Sequence, residues 1–130
     1  MTQEERMLLI KDLSARLPYA VTVEHTSGFR GTLHDITVHH MYDDNDNVYD
    51  AICYTDFFGD EDSIYIEYFK PYLLPISSMT WEQRQELERI QHKDPCYYYD
   101  TFDFFLKHYL DYRGLIEKGL ALDATGKNIY

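Results

Sequence analysis

The sequence predicts an α+β fold: an N-terminal helix, a four-stranded antiparallel meander able to curl into a small SH3-like barrel, and two to three C-terminal helices packed on it. Three observations carry this. Residues 19–69 hold four β-rich runs separated by turn residues. The segments on either side show apolar residues at helical spacing instead. Two patterns, Thr2-Gln3-Glu4-Glu5 and Thr80-Trp81-Glu82-Gln83, have the form of capping boxes that open helices. With 130 residues the chain has room for a single core, so residues 1–130 are read as one domain: a helix over 3–17, a sheet over 19–69 and a helical part over 80–122.

Helix one follows from its cap and from Met7, Ile10, Leu13 and Leu17 on one stripe, widened by Leu9. Pro18 disfavours helical geometry at Leu17 and ends it. The first strand alternates, with Tyr19, Val21, Val23 and His25 on one side. Thr26-Ser27-Gly28 makes a hairpin connection in which Gly28 supplies a positive φ. On the return strand Ile36 and Val38 fall out of phase with Leu33, which predicts a bulge near His34-Asp35 and a bent strand. Val48, Ile52 and Tyr54 build strand three, and Ile64, Ile66 and Tyr68 alternate along a fourth strand over 63–69.

Pro71 and Pro75 hold residues 70–75 extended. The helix opened at Thr80 is thinly apolar, so it is expected on the surface with Trp81 as its anchor. Thr101 or Asp100 is expected to cap a third helix whose face is Phe102, Phe105, Leu106, Tyr109 and Leu110, covering the sheet together with helix one. Gly119 caps a last turn, Leu120 and Leu122 pack back, and the tail from Asp123 to Tyr130 frays at its end.

The charge is unevenly spread. From Gly31 to Phe69, 39 residues, there are ten acids and no Lys or Arg. The other residues hold thirteen acids against twelve basic side chains, so nearly all of the net charge of −11 lies in that one segment. Such a chain repels nucleic acid and anionic membrane, because both present negative charge. It suits a basic protein. No apolar run approaches a membrane span, the acidic N-terminus has no signal-peptide pattern, and two cysteines make no disulfide framework, so a cytoplasmic setting is expected.

Chemical motifs are few. Asp43 to Asn47 has the alternate spacing of a calcium loop, but Val48 stands where the turn needs Gly and Tyr54 where a bidentate Glu is required. His25, His34, His39 and His40 offer metal nitrogens, yet the adjacent pair points to opposite faces of a strand. Cys96, with His92 nearby, is the one thiol with a neighbouring base in sequence. No catalytic, metal or cofactor site is therefore assigned. Surface recognition remains: spaced acids can imitate a nucleic-acid backbone, and thirteen tyrosines supply amphipathic contact surface. The expected partner-binding residues are Asp43, Asp44, Asp46, Asp60, Glu61 and Asp62 for charge, with Tyr42, Phe58 and Tyr65 as anchors.

Three blocks, residues 11–19 from Lys11 to Tyr19, residues 70–80 from Lys70 to Thr80 and residues 111–122 from Asp111 to Leu122, together resemble a family of small uncharacterised proteins found in Bacteroidales genomes, phages and mobile elements. Its members often carry Cys where this chain has Ser14 and Arg where it has Leu74. The resemblance implies no activity and no functional residue. It implies a setting in which small acidic proteins often bind host defence or replication machinery. The expectation is thus a non-enzymatic, acidic inhibitor of a basic nucleic-acid-handling protein, anti-CRISPR-like or otherwise anti-defence. The alternative is a structural or adaptor domain that assembles with itself or a protein partner through its Tyr-rich face.

Overall fold

A computed structural model of the chain describes residues 1–42, 47–56, 62–92 and 97–130. Helix α1 spans Gln3–Arg16, and the Thr2 box forms as expected: the Glu5 N–H donates to Thr2 Oγ1 at 3.1 Å and the Thr2 N–H to Glu5 Oε1 at 3.0 Å. Leu17–Tyr19 is a 3₁₀ turn, and Ala20 takes a left-handed φ of 54° before the first strand begins at Thr22. The strands are β1 (Thr22–His25), β2 (Arg30–Tyr42), β3 (Asn47–Thr55), β4 (Asp62–Tyr65), β5 (Phe69–Leu73) and β6 (Leu122–Asp123).

These six strands form one mixed sheet in the order β4-β3-β2-β1-β5-β6, in place of the expected four-stranded antiparallel meander. The expected fourth strand is two strands. A 3₁₀ turn over Ile66–Tyr68 splits it, and β5 then pairs with β1, while β6 returns from the C-terminal part to run parallel to β5. Pro71 fits within β5 because of its register. The Thr26 N–H donates to Tyr68 O, and alternation from there places Pro71, opposite Val23, with its nitrogen facing away from β1.

The predicted bulge is present, with the β2–β3 register shifting between Leu33 and Asp35. It bends β2 so that the first part pairs with β1 and the longer remainder with β3. The sheet must curl strongly. Tyr65 and Phe69 are four residues apart in sequence and so within about 14 Å, whereas in a flat sheet β4 and β5 would stand about 19 Å apart. The two edges, β4 and β6, share no ladder among the described residues.

Leu9, Ile10 and Leu13 of α1 fill the concave side against Val23, Leu33, Ala51 and Cys53, joined by Ile66, Phe69 and Leu115. Burying each of the larger side chains among them (Val, Leu, Ile, Phe) stabilises by roughly 1.5–3 kcal/mol. Two helices follow, α2 (Trp81–Gln91) and α3 (Tyr97–Lys107). The Thr80 box forms, yet Trp81 is 71 % exposed and α2 buries no residue, so Trp81 is not an anchor. What holds α2 is α3, through Lys107 Nζ on Glu86 Oε1 at 2.8 Å and Gln83 beside His108.

Helix α3 starts earlier than Thr101 and packs on α2 and α1 instead of lying on the sheet; Phe104, unforeseen, is buried, and Phe102 is exposed. It ends in a Schellman motif, with the Leu110 N–H on Phe105 O and the Tyr109 N–H on Leu106 O. Tyr109 occupies the left-handed position usually taken by Gly, at φ 58°. Its ring stacks on Tyr130 at 3.5 Å between centroids, and its hydroxyl donates to Tyr19 O. The tail is docked, not frayed: Tyr130 donates its hydroxyl proton to Tyr72 O at 2.8 Å and accepts the Thr22 N–H at 2.9 Å.

Where α1 meets the C-terminal segment lies a buried polar node. Arg16 Nη2 donates to Leu110 O at 2.8 Å, and Arg113 Nε reaches Asp12 Oδ1 at 3.4 Å. Asp111 accepts the Leu115 and Ile116 N–H groups, and its own N–H donates to Leu74 O. Residues of α1, of the segment after β5 and of the chain after α3 thus meet in one place.

Candidate functional site

The charge-bearing stretches expected to bind a partner fall mostly outside the described residues: Asp43, Asp44, Asp46, Phe58, Asp60 and Glu61 all do. For Tyr42 and Asp62 the backbone alone is described. Tyr42 ends β2 opposite Asn47, and Asp62 opens β4 opposite Thr55. Asn47 and Thr55, which flank the two stretches on β3, are separated by about 27 Å of strand. Tyr65 is fully described. It ends β4 opposite Ile52, with 48 % of its surface exposed.

Tyr65 belongs to a surface built by strand register. Thr37, Ile52 and Tyr65 stand opposite one another across β2, β3 and β4. Alternation puts this row on the side away from Ile36, Cys53 and Ile64, which face the core. Beside it opens a groove of about 580 Å³ lined by Val38, His39, Asp50, Ile52, Tyr65, Glu67 and Tyr68. The 3₁₀ turn between β4 and β5 supplies Glu67 and Tyr68, which is why no reading of residues 63–69 as one strand could find the groove. Val38, Tyr65 and Tyr68 are each nearly half exposed.

Two carboxylates line the groove, and both meet a cation from α1. Arg6 Nη2 donates to Glu67 Oε2 at 3.1 Å, and its Nη1 lies 3.6 Å from Asp50 Oδ1. The helix therefore brings a positive charge to the cation-free segment, a long-range pairing that segment-by-segment counting cannot see. The Asp50 side chain is 15 % exposed and also accepts the Ala51 N–H at 2.8 Å. Glu67 is more open, with 39 % of its side chain exposed, and its Oε1 has no partner among the described residues. The two acids and Arg6 leave one net negative charge at the groove.

The histidines are dispersed. His25 Nδ1 lies 2.7 Å from Ser27 Oγ, His34 Nε2 is 3.7 Å from Asp56, and His39 lines the groove. Among the described residues no group of three or more His, Cys, Asp or Glu is placed to hold a metal. Cys96 lies outside the described residues. Burial, and then the charge of Asp50, push the Cys53 thiol up to about 12, so it holds its proton near neutral pH. No described helix is long and apolar enough to cross a membrane. No protein-family model matches the chain, and no curated protein or solved structure is significantly similar to it.

Proposed function

We propose that this is a non-enzymatic acidic binding protein that blocks a basic, nucleic-acid-handling host protein by presenting spaced negative charge. The observation that carries the reading is the groove beside Tyr65, where exposed aromatic and aliphatic groups adjoin carboxylates within the most acidic part of the chain. Acids of this kind speed association with a basic surface, and desolvated aromatic side chains hold it. Asp43, Asp44, Asp46, Asp60, Glu61 and Asp62 supply the field, with Tyr42, Phe58 and Tyr65 as anchors. The resemblance to phage and mobile-element proteins of Bacteroidales favours an anti-defence inhibitor, anti-CRISPR-like in its logic, acting in the host cytoplasm. We read the curled sheet as a partly open SH3-like barrel, an architecture that hosts many unrelated functions and so does not select the partner.

The test is capture from host lysate at low salt with elution by a salt gradient, run beside a variant in which the six acids are replaced by Lys. Release of a basic nucleic-acid-binding protein at moderate salt, lost in the variant, is the expected result. Recovery of the protein itself alone, or of a salt-resistant partner equally held by both forms, would favour the second reading. That reading, assembly through the Tyr-rich face, draws its support from the same row, in which Thr37 and Tyr65 are exposed and Ile52 is half-buried.

A further inference from the structure

We infer that the groove beside Tyr65 receives an arginine side chain of the basic partner, its guanidinium set against Glu67 and the tyrosine rings. This rests on the reading of the protein as a binder of basic surfaces and specifies which of its features makes the contact. Three properties of the groove point to this occupant. Its volume of about 580 Å³ is ample for one long side chain. Its lining is divided: Ile52 offers apolar surface for an aliphatic stem, while Tyr65 and Tyr68 bring aromatic rings beside the carboxylates of Asp50 and Glu67.

The charge is also unbalanced in the required sense. Arg6 engages Glu67 through Oε2 and approaches Asp50 through Oδ1, leaving one negative charge and, among the described residues, no partner on Glu67 Oε1. Arg6 already shows that a guanidinium is held here. It comes from α1, while Glu67 lines the groove with 39 % of its side chain exposed. A guanidinium suits this arrangement better than an ammonium, because it stacks on rings while donating several hydrogen bonds in its plane.

The experiment is a titration of the whole protein, followed by amide and tyrosine-ring NMR, with acetyl-Gly-Arg-Gly-amide and with the same peptide carrying neutral citrulline. Saturable shifts confined to Ile52, Tyr65, Glu67 and Tyr68 are expected with the arginine peptide, and binding about tenfold weaker with citrulline. Tyr65→Ala, at a half-exposed position, should weaken the arginine peptide by about tenfold while leaving the remaining spectrum unchanged. Equal binding of both peptides, or of neither, would overturn the inference. So would shifts at the same residues on simple concentration of the protein, which would assign the groove to a second copy. Failure here with salt-sensitive capture of a basic protein intact would leave the proposed function standing, whereas peptide binding without any basic partner would remove that function and keep the groove.

Discussion

Arg16 grips Asp12 from one turn further along α1, Nε to Oδ2 at 2.7 Å and Nη2 to Oδ1 at 3.2 Å, and neither side chain has exposed surface. A buried pair of this kind is expensive to break from one side, because the charge left behind has no water and has lost its counter-charge. Here the loss would reach further, since Arg113 also leans on Asp12 and Arg16 also holds Leu110 O. Asp12→Ala should destabilise by about 3–5 kcal/mol in urea unfolding. The joint replacement Asp12→Leu with Arg16→Met should lose clearly less than Asp12→Ala. A double replacement as damaging as the two single losses added together would show that the pair does not act as a unit.

That node also marks the limit of what the sequence could reveal. Features set by a few neighbouring residues were legible: both capping boxes, the turn at Gly28, the bulge between Leu33 and Asp35, and the left-handed Gly119. Asp12 and Arg16 at i,i+4 read equally well as an exposed helix pair, and it is the other end of the chain that brings Leu110, Tyr112 and Arg113 against them. Ile64, Ile66 and Tyr68 alternate like a strand, but the chain must leave β4 and reach β1's far side within three residues. That demand is tertiary, and it turns Ile66–Tyr68 into a 3₁₀ turn. The groove inherits the same invisibility, because Glu67 and Tyr68 reach it only through that turn.

Tyr130 closes the open end of the β1–β5 pair. Its hydroxyl satisfies the Thr22 N–H and Tyr72 O at once, and Tyr130→Phe should destabilise by about 1–3 kcal/mol because both backbone groups lose a partner. Burial is the main cause that pushes its phenol up from 10.0 to about 12, although 43 % of the residue's surface remains exposed. The folded protein thus keeps a proton that the unfolded chain releases first. The stabilisation is complete below pH 10 and is lost as pH rises through about 12. Urea midpoints of the wild type should fall more steeply than those of Tyr130→Phe across that window. Parallel curves would show that the phenol is not held in its neutral form.

Cys53 should behave as a core side chain. With its thiol raised from 9.0 to about 12, the thiolate fraction at pH 8 is about a thousandfold below that of an ordinary cysteine. Iodoacetamide should modify it in urea and leave it nearly untouched in the native protein, as read by mass spectrometry of the peptide that carries it. Rapid native labelling would mean that the β3 face packed against α1 opens freely.

Arg6 tests the groove from within. Its guanidinium joins α1 to β3 and to the 3₁₀ turn, in pairs that retain some solvent contact, so Arg6→Met should lose only about 1 kcal/mol of stability. The methionine keeps most of the stem's packing while removing the charge. The groove would then hold two carboxylates with no cation, and an incoming guanidinium would meet a net charge of −2 in place of −1. Affinity for the arginine peptide should rise by about three- to tenfold at low salt, and the gain should shrink as salt is added. Binding of the citrulline peptide should not change. A fall in arginine affinity in a variant that remains folded would mean that Arg6 orders Asp50 and Glu67 for the ligand instead of competing with it.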